Sequence, residues 1–167
     1  LRRTDDILRQ LIGKPVLGWR SPSGRKTANT MHVLNALGYI YDSSDKDYDL
    51  PYRLRFGAGA DDCIVELPNN TYSLDDFPFF KFSYTPPSEV LAQWKSEFDA
   101  IYASDRFVVL VVHPRSGWGS GTPARTEIFE QAIAYMKAHE GVRFFTSAQF
   151  ARWCLDNPQH LEEVSVP

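Results

Sequence analysis

The apolar run Phe107-Val108-Val109-Leu110-Val111-Val112 ends on His113-Pro114, and this stretch constrains the fold more than any other. Such a run reads as a buried strand. A histidine at its carboxyl end has its backbone fixed by the sheet and its ring aimed at the mouth of the fold. In α/β architectures ligands and catalytic groups collect at that end. The loop behind it, Arg115 to Pro123, is rich in glycine and holds Trp118, so it can approach a substrate closely. The alternative is a histidine that merely ends a strand and bonds to a backbone carbonyl.

Periodicity places other elements around this strand. Thr4 is positioned to cap a helix with Asp5 and Asp6 in its first turn, Ile7, Leu8, Leu11 and Ile12 as its apolar face, and Gly13 as its stop. A short strand, Val16 to Arg20, precedes a helix from about Thr27 to Leu37, and Tyr39-Ile40-Tyr41 follows as a strand. A polar, aspartate-rich loop with Pro51-Tyr52 leads to a strand at Ile64–Leu67. Pro86-Pro87-Ser88 opens a long helix in which Val90, Leu91, Trp94, Phe98, Ile101 and Tyr102 recur at the helical period. After the histidine strand, Thr122-Pro123 starts a helix bearing Ile128, Phe129, Ala132, Ile133 and Met136. Val142–Phe145 reads as the last strand. Thr146 and Gln149 have capping-box spacing ahead of a helix with Phe150, Trp153 and Cys154. The alternation gives an α/β fold with a parallel sheet, one domain over residues 1–158 and a loosely held tail over 159–167. Only five strands are visible by this reading, whereas a closed barrel needs about eight.

Composition narrows the partners. A net charge of −3 with mixed signs gives no electrostatic reason to expect nucleic acid or an anionic membrane. No apolar stretch approaches the ~20 residues that span a bilayer. Cys63 and Cys154 match no metal or redox spacing, and both are expected as buried thiols. There is no secretory signal, which says little for a chain that starts within a helical pattern; the compartment is left open, with a cytoplasmic one favoured. The chain starts within a helical pattern and without an initiator methionine, which suggests a piece of something longer.

Three polar groups fall at expected carboxyl ends of strands: Arg20, the Asp75-Asp76 pair, and His113. An imidazole beside a carboxylate is held in one tautomer and has its protonated form favoured, which suits a general acid. An arginine beside a carboxylate keeps that group ionised and oriented for use as a base. Structural alternatives are a salt bridge for Arg20 and a turn or cap for the aspartates. His32, His139 and His160 lie within a helix, near a helix end and in the tail, and none is expected to be functional. Asp42, Asp45, Asp47 and Asp49 lack the glycine and terminal glutamate of a calcium loop, so a solvated loop is expected.

The ordered set GWRSPSGRKTANT, ALGYIYDSSDKDYDLPYRL, IVELPNNTYSLDDFPFF, VVLVVHPRSGWGSGTPAR and HEGVRFFTSAQFARW resembles the polysaccharide deacetylase family, in the branch with allantoinase-like and peptidoglycan-deacetylase-like proteins. The resemblance implies the C-terminal part of an irregular (β/α) barrel. It also implies a metal-dependent hydrolase of a non-peptide carbon–nitrogen bond, with a divalent metal, commonly zinc, and an aspartate base. By that resemblance Arg20 orients the base, Asp75 tunes the acid with Asp76 close behind, and His113 is the acid. Trp19, Pro22, Tyr52, Tyr72, Asp76 and Trp118 become candidates for substrate contact. The family's paired-aspartate strand end and histidine-x-x-x-histidine helix are absent from the sequence, so no metal ligand of family type is expected in this chain alone. The implied partners are an N-acetylated sugar or small amide as substrate, and a missing N-terminal half or a second copy to complete the barrel. A ureide-cleaving amidase and a non-catalytic carbohydrate-binding or scaffold domain are the alternatives.

Overall fold

The computed structural model describes residues 1–46, 50–59, 61–69 and 73–165. These form two compact units: Leu1–Pro68 with Phe145–Pro167, and Asn69–Phe144.

The first unit is built on a five-stranded sheet in the order β1-β2-β4-β3-β5. Its strands are β1 (Gly18–Trp19), β2 (Tyr41–Asp42), β3 (Tyr52–Arg55), β4 (Cys63–Glu66) and β5 (Glu162–Ser165). β1, β2 and β4 run parallel, β3 lies antiparallel to β4, and β5 is parallel to β3. Neighbouring residues of β4 point to opposite faces. Ile64 joins Met31 and Leu34 of α2 (Ala28–Ala36) with Tyr52, Leu54 and Phe56. Val65 joins Leu67 with Ala151 and Cys154 of α5 (Ser147–Asp156). A strand with helices on both faces needs apolar residues at consecutive positions, which accounts for Ile64-Val65. Burial pushes the Cys154 thiol up to about 11, as expected for an inert core cysteine. Cys63 is only partly buried and its sulfur receives a hydrogen bond from Arg53 (3.0 Å).

Several local signals take the expected form. Thr27 and Thr146 both cap helices through reciprocal capping boxes. Four expectations are corrected in this unit. α1 (Arg2–Ile12) starts after Leu1 rather than at Thr4, and its buried residue is Asp5, bound to Arg9 Nε at 2.6 Å. Ile7, Leu8, Leu11 and Ile12 are exposed. β3 falls within the stretch read as loop, and Glu162–Ser165 pairs with β3 rather than trailing as a loose tail.

In the second unit α3 (Pro87–Ala103) packs on α4 (Pro123–Lys137) through Val90, Trp94, Ile128 and Ala132, with Leu74 and Phe80. Among the described residues, 107–112 pair through the parallel bridge of Val111 to Asp75. Val108, Leu110 and Val112 pack on the helix core at the two-residue period of an extended chain. Val142–Phe145 forms no strand, and both phenylalanines at its end are exposed. The order is therefore α-β-α-β-β-β-α-α-α-β among the described residues. No helix among them is long and apolar enough to cross a membrane.

Trp94 is fully buried at the α3–α4 contact. Trp94→Ala is expected to lower the unfolding free energy by about 3–5 kcal/mol in urea titrations. A loss below about 1 kcal/mol would show that this contact does not hold the second unit together.

Candidate active site

The bridge at Val111 sets the geometry of the second unit's polar cluster. Val111 N–H donates to the Leu74 carbonyl (2.9 Å) and Asp76 N–H to the Val111 carbonyl (3.1 Å). A parallel ladder would next take the His113 N–H to the Asp76 carbonyl. The Asp76 side chain takes it instead, with Oδ2 at 2.8 Å. Oδ1 of the same carboxylate faces His113 Nδ1 at 2.6 Å, and Ser120 Oγ donates to Oδ2 at 2.7 Å. Asp76 is completely buried. With the carboxylate ionised, Nδ1 carries the proton and Nε2 is the nitrogen left for chemistry.

Asp75 has a different part. Its Oδ1 accepts the Phe77 N–H at 2.8 Å and lies 3.9 Å from His113 Nδ1. The short contact to the imidazole thus belongs to Asp76, expected as a substrate contact, and not to Asp75, expected as the tuning carboxylate. Aromatic rings flank the imidazole. Phe77 and Trp118 lie 5.9 and 5.0 Å from it and 5.0 Å from each other, edge to face.

The glycine-rich loop approaches closely, but what it approaches is the backbone of His113. A Cβ on Gly119 would stand 2.3 Å from the His113 carbonyl oxygen, and one on Gly121 would stand 2.8 Å from the Arg115 carbonyl carbon. The His113 carbonyl accepts both the Arg115 N–H (2.7 Å) and the Ser120 N–H (2.8 Å). Glycines here let the chain double back and seat Ser120 against Asp76.

Arg20 lies in the first unit, just after β1. Its Nη2 donates to Ser43 Oγ (2.6 Å), which donates to the Leu67 carbonyl (2.6 Å). Ser43 N–H in turn donates to Asp42 Oδ1 (2.8 Å). Beside it is a buried ionic cluster. Lys26 Nζ contacts Asp42 (2.9 Å), Asp45 (2.8 Å) and Glu66 (2.8 Å), using all three of its donors. Glu66 Oε1 accepts the Ser44 and Asp45 N–H groups, each at 2.8 Å. The Tyr52 hydroxyl bonds to Asp45. Burial works against the Lys26 charge, but Glu66, Asp42 and Asp45 outweigh it and hold the amine charged above its ordinary range. Burial, then Asp42, pushes the Glu66 carboxyl from 4.5 up to about 8, against the pull of Lys26.

His113, Asp75, Asp76 and Trp118 share the second unit, and Arg20, Trp19, Pro22 and Tyr52 the first. Tyr52 was expected at a groove, yet it is 2% exposed and packs in the core. Tyr72 lies outside the described residues, as do Asp47 and Asp49. Asp42 and Asp45 are not a solvated loop: both bind Lys26, and Asp42 is fully buried. Lys26, Glu66 and Ser120 were not singled out from sequence. For Ser120 a signal existed in its two flanking glycines; for Lys26 there was none.

Asp75, Asp76 and His113 offer donor atoms within 4.8 Å of one another. They do not fit a metal as arranged. The 2.6 Å Nδ1–Oδ1 contact is a hydrogen bond, and Asp76 Oδ2 is engaged by two further donors. A cation bound at ~2.0–2.2 Å to each would have to displace that proton and spread the pair.

No protein-family model matches the chain, and no curated protein matches it. Solved structures do. One, described as a polysaccharide deacetylase from Mycobacterium smegmatis, has a TM-score of 0.82 and 27% identity over 99% of this chain. Another, described as a polysaccharide deacetylase from Pseudomonas aeruginosa PAO1, gives 0.79 and 26% over 95%. The Puue allantoinase gives 0.77 and 26% over 95%. The chain spans 58%, 52% and 52% of these three structures. The fold is thus α/β and corresponds to about half of a deacetylase-type (β/α) barrel. The chain shares this fold with these three solved structures.

A carboxyl group kept protonated in the fold stabilises it below its ordinary value and loses that contribution as pH rises through the folded value. For Glu66 the window is 4.5 to about 8. Relative to Glu66→Gln, the unsubstituted protein is expected to lose on the order of a few kcal/mol across it, read by urea unfolding at each pH. Equal pH slopes in the two proteins would contradict the shift.

Proposed function

We propose that this chain supplies the acid-bearing part of a hydrolase of a non-peptide carbon–nitrogen bond, with N-deacetylation of a sugar or polysaccharide as the reaction. The observation that carries this reading is the His113–Asp76 pair: a half-buried imidazole with Nδ1 tied to a fully buried carboxylate and Nε2 left over. When the amide bond breaks, the departing amine needs a proton. Protonated His113 gives its Nε2 proton to that nitrogen, and Asp76 keeps Nδ1–H in place and stabilises the imidazolium beforehand. Phe77 and Trp118 beside the ring offer flat apolar faces to a substrate.

Arg20, steadied by Ser43, is read as the group that orients an aspartate base. That base and a histidine-x-x-x-histidine ligand pair are not in these 167 residues, so in this reading they come from outside the sequence. A divalent metal held there would polarise the acyl carbonyl. Complementation by an N-terminal half supplies these groups; a second copy of this chain would not. The likeness to Puue allantoinase supports a second reading, hydrolysis of a small ureide.

In the complete enzyme, His113→Ala is expected to lower kcat by about 10²–10⁴-fold with KM nearly unchanged. Assays on N-acetylglucosamine oligomers and on allantoin separate the two readings. A variant with near-normal kcat removes His113 from the chemistry, and turnover of neither substrate counts against both.

A further inference from the structure

The loop after His113 delivers one buried hydroxyl to the carboxylate that holds the imidazole. Ser120 Oγ lies 2.7 Å from Asp76 Oδ2, and Ser120 is 7% exposed. The backbone fixes the serine from both sides. Its N–H donates to the His113 carbonyl (2.8 Å), and its own carbonyl accepts from Thr126 Oγ1 (2.8 Å) in α4. Arg125 Nη1 donates to the Gly119 carbonyl (3.0 Å) and stacks its guanidinium over Phe80, which pins the loop to the helix core. Gly119 and Gly121 allow the tight return, because a side chain at either would strike the loop's own backbone.

This arrangement solves a specific difficulty. A carboxylate with one oxygen on Nδ1 can still pivot about its Cβ–Cγ bond and tilt the ring with it. Two donors on Oδ2, the His113 N–H and the Ser120 hydroxyl, remove that pivot. The first donor is supplied by the histidine itself. The second comes from Ser120, through the doubled-back loop.

We propose that Ser120 is a positioning residue for the acid: its hydroxyl locks Asp76 so that Oδ1 stays on Nδ1 and Nε2 stays turned towards the reacting nitrogen. The catalytic consequence rests on the hydrolase reading above, whereas the hydrogen-bond role stands on the geometry alone. Two readouts keep the two apart. The first is NMR of the protein with ¹⁵N-labelled histidine, following exchange of the His113 Nδ1 proton with water. S120A is expected to speed that exchange about tenfold, the loss of one hydrogen bond to a charged group, and S120T to restore it. The second is the kcat-against-KM split on the substrate the enzyme turns over, where S120A lowers kcat about tenfold, leaves KM in place, and S120T recovers. If S120A does not fold, S120C, a poorer donor of similar size, gives the same exchange readout. Unchanged exchange in a folded S120A or S120C overturns the role of Ser120 and leaves the hydrolase reading standing. Faster exchange in a protein that hydrolyses neither N-acetyl sugars nor allantoin removes the hydrolase reading and upholds Ser120 as the residue that locks Asp76.

Discussion

The Asp76 carboxylate is the point on which the second unit's chemistry turns. It is fully buried and accepts the His113 backbone N–H, the His113 ring and the Ser120 hydroxyl. A buried carboxylate is costly unless its oxygens are satisfied. Here the compensation also fixes the His113 ring. The side chain takes the place of a backbone carbonyl in the ladder begun at Leu74 and Val111, so the ring's position follows from strand register. Register is a stiff constraint, because a one-residue slip turns every side chain to the other face. The register at the Val111–Asp75 bridge therefore places Leu74 in the core and Asp76 under the histidine.

The first unit meets the same difficulty differently. Asp42, Asp45 and Glu66 converge on one lysine at the carboxyl ends of β2 and β4. Three ionised carboxylates about one ammonium would leave net charge in a buried place. Holding Glu66 protonated to about pH 8 reduces that excess. The cluster also braces Arg20, since Ser43 binds Asp42 through its N–H and Arg20 through its hydroxyl. Removing Lys26 would leave buried acids without their cation, which is more damaging than losing an exposed pair.

What could be read from sequence was local or periodic. Thr27, Thr146 and Gln149 announce helix starts because capping is decided within one turn. His113 stood out through the apolar stretch before it. The resemblance put Asp75 ahead of Asp76, but the short contact to the imidazole is Asp76's, because adjacent residues differ only in which way the turn points them. β3 did carry the two-residue alternation, Tyr52 and Leu54 inward and Arg53 and Arg55 outward, yet Pro51 and the aspartates before it read as loop. β5 is Glu-Glu-Val-Ser and has no strand signal of its own. It is held by pairing to β3 and by Arg55 on Glu163 (2.6 Å), a contact between distant parts of the chain. Lys26 escaped notice for the same reason: its partners are 16 to 40 residues away in sequence.

The central claim is that Asp76 holds His113 in one tautomer with Nε2 as the working nitrogen. Long-range ¹H–¹⁵N correlation of ring nitrogens in histidine-labelled protein, at a pH where the imidazole is neutral, tests it most directly. The expected result is a proton on Nδ1, with Nε2 showing the shift of an unprotonated nitrogen. A proton on Nε2, or averaging between the two nitrogens, would contradict it.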